Sequence, residues 1–488
     1  MTATTPKSST ELAAAFKSEA KRLLEEYKVP GITLGLLTPD GDHFVSLGVT
    51  SIENPLPITH DTIFQIGSTT KTLTSLTCSV LVEQGKLDLN VPVRTYLPEF
   101  KLTDESVAAR VTVHDLLTHQ GGFQGDLFEE TGDGDDAVAK GLDALAQSPQ
   151  VVPLRGHWSY NNAGFFVAGR VIEVVTGKTY EAAVTELVLT PLGMDHTLFF
   201  PSQIMTYRYA TGHNKVNDEM VVQRPWMMMR SAAPAGSSCS STVSDMAKYA
   251  HYIMSGTMPE PSAAAENSTD EKAEKPEVPT LSGMNRTHLW KPVRPIGVGI
   301  NAFPGEEGQI GQSWFIDEYE SATIISHGGT TFGHQSDFWV SPDRKVGFIA
   351  MTNASNGHAM NRRLGEWVKR EVLGLVKPER EEVKLDEGAL TAFAGEYDVI
   401  GQPYTIGAKV EGGKLMLVLP NPNTGGTEEM SVRFIAPERA AVAGGDADGI
   451  GVEFLTKGGE VEFMRFGARL YPRLQLGAAQ QPPVTAAL

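Results

Sequence analysis

The chain begins its β-structure early and resumes it late, with helices between. Residues 31–48 read as a hairpin: GITLGLL is a strand, TPDGD is turn chemistry and HFVSLG is the return strand. Further strands are expected at 296–301, 312–316, 321–326, 335–341 and 345–352. Helical periodicity fills the interval: from Gly67 to Gly85, at 112–118, 163–176 and 179–190, and at 244–255 with Ser244 as its N-cap. One helix at 10–27 precedes the hairpin and one at 360–375 follows the late strands. Such an order predicts an α+β fold whose sheet joins the two ends of this region.

At Pro378 the character changes. PEREEVKLDE (378–387) is charged and linker-like, and short β-like runs separated by glycine turns follow at 394–398, 403–410, 414–419, 430–434, 452–456 and 460–466. Gly412-Gly413 and Gly458-Gly459 are hairpin signals. The division expected is a domain at 1–377, a linker at 378–386, a small antiparallel barrel at 387–475 and a frayed tail at 476–488. Residues 256–280, rich in Pro, Glu, Ala, Ser and Lys, break every periodicity and read as a disordered surface insertion, a lid being the functional alternative.

Composition excludes several function classes. A formal net charge of −18 argues against a nucleic-acid or anionic-membrane partner, which would call for basic patches. No apolar run approaches the ~20 residues that span a bilayer. The first 27 residues contain no apolar signal core, so a cytoplasmic location is expected. Two cysteines, Cys78 and Cys239, make neither a disulfide framework nor a four-ligand zinc site. The 12 histidines are scattered without HExxH spacing, so no metal and no cofactor is expected.

Chemistry concentrates in QIGSTTKTLTS (65–75). A phosphate loop would need glycines where Gln65 and Thr70 stand, so that reading fails. The alternative is a nucleophile: with a helix starting at Ser68, Lys71 lies one turn on, on the same face, and its amine can reach Oγ. A lysine serves as base only where its surroundings disfavour its charge. Free backbone N–H groups at the helix start can hold an oxyanion. Taken alone, a Ser-x-x-Lys is a weak signal that reads first as a capped helix start with a surface lysine. Two further segments add to it. Tyr160 and Asn162, in SYNNAGF just before a helix, supply a proton relay and an amide donor. His327-Gly328-Gly329 ends a strand, with glycines that let a substrate backbone lie close and a histidine that can donate.

In this order and at these separations, STTK (68–71), YNN (160–162) and HGG (327–329) resemble the serine β-lactamase and penicillin-binding-protein superfamily, within it the class C-like hydrolases and esterases. Accessory stretches, among them VPGITLGLL (29–37), VTVHDLLTHQGG (111–122), PLGM (191–194) and APAGSSCSSTVSDMAKY (233–249), extend the resemblance over roughly residues 10–375. It implies an antiparallel sheet flanked by helices plus an all-helical subdomain, with a C-terminal segment similar to the lipocalin-like domain that some members append. It also implies the roles. Ser68 is acylated, Lys71 and Tyr160 share its proton, Asn162 orients substrate together with His327, Gly328 and Gly329, and the Ser68 and Thr330 backbone amides form the oxyanion hole.

One departure bears on substrate. His327 stands where β-lactamases carry a lysine that helps hold a substrate carboxylate, so efficient β-lactam hydrolysis is not expected. The reading is a serine hydrolase acting through an acyl-enzyme on a small ester or peptide, such as one containing D-residues. An acyltransferase or peptide-cyclising thioesterase with the same nucleophile is the alternative, and a catalytically idle scaffold the third. The resemblance also admits a homo-oligomer.

Overall fold

The computed structural model describes residues 8–258, 281, 283–297, 308–376, 381–421, 425–445 and 447–475. Most of the expected insertion, the end of the expected strand at 296–301 and the tail at 476–488 lie outside the described residues. The chain condenses into two units, each assembled from non-consecutive segments. One comprises 1–88, 172–290 and 318–376; the other comprises 89–171, 291–317 and 377–488.

The first unit is built on five antiparallel strands. Helix α1 (Ser9–Tyr27) leads into β1 (Gly31–Thr38) and β2 (Gly41–Gly48), then α2 (Thr70–Glu83) and α3 (Val243–Ser255). Strands β3 (Ala322–Thr330), β4 (Gln335–Ser341) and β5 (Val346–Thr352) precede α4 (Gly357–Leu373). Strand order is β2-β1-β5-β4-β3, so the early hairpin does pair with the late strands, Leu34 facing Ala350 in register. Helices cover both faces. Phe16 and Leu23 of α1 and Leu364 and Trp367 of α4 pack with Leu34, Trp339 and Phe348. Phe338, one residue before Trp339, points the other way and stacks on Tyr249 of α3 at 5.6 Å. Alternation puts neighbours on opposite faces, and two covered faces make β5 buried at every position.

Helix α2 is buried from Thr70 to Leu81 although seven of those twelve residues are Thr, Ser or Lys. Hydroxyls of Thr72, Thr74, Thr77 and Ser79 donate to carbonyls three or four residues back, which lets a polar helix lie in a core. Helix α3 is capped by Thr242, which accepts from the Asp245 amide, and not by Ser244: the backbone is extended at Thr242 and already helical at Val243.

In the second unit, Leu89–Val171 carries short helices, including Glu105–Ala108 and Val113–Leu117, and the start of the Ala163–Thr176 helix. The C-terminal part is an eight-stranded antiparallel barrel: β6 (Gly395–Asp398), β7 (Thr405–Glu411), β8 (Lys414–Asn421), β9 (Gly426–Ala436), β10 (Arg439–Val442), β11 (Gly451–Lys457), β12 (Glu460–Phe466) and β13 (Arg469–Pro472). The strands pair in sequence order, and a bridge between Tyr397 and Arg473 nearly closes the ring. Phe393, Phe434 and Phe454 stack inside it. Among the described residues, no helix is long and apolar enough to cross a membrane.

Candidate active site

Ser68 lies on a single 3-10 turn, Gly67–Thr69, that runs directly into α2. One turn on, Lys71 is fully buried. Its Nζ donates to Ser68 Oγ at 2.9 Å and to the Ala235 carbonyl at 2.6 Å. The arrangement differs from a surface lysine after a helix start: the amine is desolvated, aimed at the hydroxyl and held from behind by a backbone carbonyl.

Backbone crossings lock the Ser68 turn. Gly67 has φ +51°, and a methyl on it would lie 2.6 Å from the Thr330 nitrogen. A methyl on Gly329 would lie 2.0 Å from the Ile66 carbonyl oxygen and 2.8 Å from the Ser68 nitrogen. One on Gly236, at φ +108°, would meet the Gly67 carbonyl at 2.0 Å. The glycines therefore allow β3 and the 235–236 segment to press against the turn, bringing the Ser68 and Thr330 amides to one crossing. Side chains add to the lock: Thr69 donates to the His327 carbonyl at 3.2 Å, and Ser336 donates to the Ile66 carbonyl at 2.8 Å.

His327 sits inside β3, which runs on to Thr330 instead of ending at the glycines. The ring is buried, with Nδ1 donating to the Gly328 carbonyl at 2.6 Å. Burial, reinforced by the positive charge of Lys71, pushes its pKa down to about 3, so the ring is neutral at any working pH. Both cysteines are buried, which raises their thiols to about 12 and removes them as nucleophiles.

Tyr160 and Asn162 belong to the second unit, in the turn before the Ala163–Thr176 helix. Tyr160 is 5 % exposed, its ring stacked 4.4 Å from that of His119 and 6.4 Å from that of Phe315. Asn161, between them, is structural: it donates to the Phe123 carbonyl and accepts from the Gly164 amide at the helix start. Asn162 donates from Nδ2 to Asp126 Oδ1 at 2.6 Å. Arg469 of the barrel holds the same carboxylate, and its guanidinium carbon lies 5.1 Å from the Tyr160 ring centroid.

Residues 16–371 match the family model described as Beta-lactamase. The chain belongs to the beta-lactamase family. Relatives within and around this family carry different names. Penicillin-binding protein 4 of Amycolatopsis lactamdurans is 34 % identical over 242 residues, covering 49 % of this chain and 63 % of that protein. Unguisins hydrolase ungD of Aspergillus violaceofuscus is 26 % identical over 366 residues, 71 % of this chain and 62 % of that one. Esterase EstB of Burkholderia gladioli is 36 % identical over 192 residues, 36 % of this chain and 48 % of that one. The chain thus spans less than two thirds of the length of these curated relatives. Among solved structures, SurE with D-Leu superposes with a TM-score of 0.68 at 20 % identity, covering 95 % of this chain and 99 % of SurE. A class C beta-lactamase superposes with a TM-score of 0.58 at 20 % identity, over 76 % and 99 %. These two likenesses bear on the fold alone.

The partners that hold the named residues carry no sequence signal of their own. The Ala235 carbonyl is a backbone atom and has no side-chain signature. Arg469 and Asp126 are 343 residues apart in sequence, beyond any local pattern. Among the described residues, no group of three or more His, Cys, Asp or Glu is placed to hold a metal ion.

Proposed function

We propose that this beta-lactamase family member is a serine hydrolase that acylates Ser68 with an ester or a peptide-like amide, and that it is a poor β-lactamase. The observation that carries the reading is the buried Lys71 amine, 2.9 Å from Ser68 Oγ and anchored by Ala235. With one proton given up, that amine still donates to Ala235 and turns a lone pair to the hydroxyl. Ser68 then passes its proton to the base as Oγ bonds to the substrate carbonyl carbon, and the oxyanion is received by the Ser68 and Thr330 amides. As the carbonyl re-forms, the bond to the leaving group breaks and the leaving group takes the proton. Water, activated in the same way, cleaves the acyl-enzyme. Tyr160 is the second proton carrier in this scheme, and Asn162 orients the substrate amide or carbonyl.

The neutral His327 supports the substrate assignment. It offers no cation to a β-lactam carboxylate, whereas an ester or internal amide asks for none. The esterase and hydrolase names among the relatives favour the same chemistry. Acyl transfer to an amine of the same chain, giving a macrocycle, is the competing fate of the same acyl-enzyme.

The test uses p-nitrophenyl butyrate, nitrocefin, a peptidyl thioester ending in a D-residue, and a fluorophosphonate probe read by intact mass. One covalent label, abolished in Ser68→Ala together with a loss of ester turnover on the order of 10³-fold or more, is expected. Labelling that survives Ser68→Ala would refute the nucleophile. Linear acid from the thioester supports hydrolysis; macrocycle supports transfer. Nitrocefin turnover matching that of the ester would overturn the substrate assignment.

A further inference from the structure

The Tyr160–Asn162 segment is held by the barrel. At the β12–β13 turn, the Ala468 carbonyl accepts the Tyr160 amide at 2.9 Å, and the Leu470 amide donates to Ser159 Oγ at 3.2 Å. Arg465 donates to the Trp158 carbonyl at 3.0 Å. Ala468 packs into a cluster with Trp158, Tyr160 and Phe315. Residues 158–160 are thereby fixed, backbone and rings, by one hairpin.

Arg469 does more than complete this packing. Its Nε and Nη2 grip the two oxygens of Asp126 at 2.5 and 3.2 Å, a bidentate pairing that lysine cannot reproduce in full. Asp126 Oδ1 in turn accepts a hydrogen bond from the Asn162 amide, which fixes which way that amide faces. The permanently charged guanidinium also lies 5.1 Å from the Tyr160 ring centroid, within cation–π reach. At 31 % side-chain exposure it is not a freely solvated surface arginine.

We propose that Arg469 of the C-terminal barrel is a positioning residue for the reaction, setting the Asn162 amide through Asp126 and holding the Tyr160 phenol beside a fixed positive charge. The barrel then supplies a working part of the machinery. The inference rests on the roles given above to Tyr160 and Asn162.

The test compares Arg469→Met, Arg469→Lys, Tyr160→Phe and the Tyr160→Phe/Arg469→Met double variant in the full chain, with p-nitrophenyl butyrate as substrate. Arg469→Met keeps the aliphatic packing and is expected to lower kcat about 30-fold with KM within about 3-fold, the pattern of a contact used in the transition state. Arg469→Lys keeps the charge and is expected to recover most of the loss. In the Tyr160→Phe background Arg469→Met is expected to lower kcat by clearly less than 30-fold, because two groups acting together are not additive. Full activity in Arg469→Met, or losses that multiply fully with those of Tyr160→Phe, would overturn the proposal. A fully active Tyr160→Phe would instead remove the reading beneath it, while Ser68→Ala tests the nucleophile independently of both. Should Arg469→Met unfold by near-UV circular dichroism, Asp126→Asn carries the test: a similar fall in kcat supports the coupling and unchanged kcat refutes it.

Discussion

Lys71 carries its amine out of solvent contact to the Ser68 hydroxyl and the Ala235 carbonyl. Two roles are open to a cation there: a fixed charge steadying the proposed nucleophile, or a base that takes its proton. Substitution separates them. Arginine keeps a positive charge on a similar stem but does not give up its proton in a protein. If Lys71 acts as the base, Lys71→Arg and Lys71→Met are both expected to lose on the order of 10²-fold or more in kcat/KM for an ester. Retention of more than about a tenth of the activity in Lys71→Arg would leave Lys71 only an electrostatic role. His327 belongs to the same scale. Since burial holds its pKa near 3, no limb of the pH–rate profile between pH 5 and 9 is expected to vanish in His327→Asn. Disappearance of such a limb would place a titrating histidine in the reaction.

At the scale of elements, the two glycines after His327 separate into different jobs. A methyl on Gly328 would meet the Ser336 carbonyl at 3.2 Å, whereas one on Gly329 would meet the Ile66 carbonyl at 2.0 Å and the Ser68 nitrogen at 2.8 Å. Gly329→Ala is therefore expected to push β3 off the Ser68 turn and cost roughly 10–100-fold in kcat, the scale of losing an oxyanion donor's alignment. Gly328→Ala is expected to stay within about 3-fold of the parent. Equal activity of the two variants would show that the crossing does not matter. The comparison also shows what the sequence can carry. The glycine pair was legible as a place of close approach, but the approaching backbone is the chain's own Ile66–Ser68 turn. Helix and strand positions were legible because periodicity is local; the strands Arg439–Val442 and Arg469–Pro472 fall outside the runs expected from it. Ser68 and Lys71 were legible because they share one helical turn. Ala235, Asp126 and Arg469 were not, since their roles come from contacts closed across the chain after folding.

For the whole molecule, buried histidines govern the response to acid. His327 and His334 are 1 % and 0 % exposed, and burial lowers both to about 3. Burial also lowers His358, to about 4. No protein hydrogen-bond partner reaches either ring nitrogen of His334 among the described residues, so a proton added there would be a buried charge without an acceptor. An unfolded histidine binds its proton near pH 6.5. The stability these three contribute is thus fully present above about pH 6.5 and is lost as pH falls toward the folded values. Each costs about 1.4 kcal/mol per pH unit across that window. Asp337 opposes them: burial raises its carboxyl to about 6, so the folded chain takes up that proton first and gains stability as pH drops from 6. For these four groups the balance is roughly two more protons on the unfolded chain, about 3 kcal/mol per pH unit between pH 6 and 4. Against a total of about 5–15 kcal/mol for a typical domain, this predicts a Tm falling steeply below pH 6 and acid unfolding near pH 4. Calorimetry from pH 7.5 to 4 checks it. His334→Gln, which has no proton to gain, is expected to shallow the slope by about one proton's share, and a Tm that stays flat from pH 7.5 to 5 would show that these rings titrate freely in the folded protein.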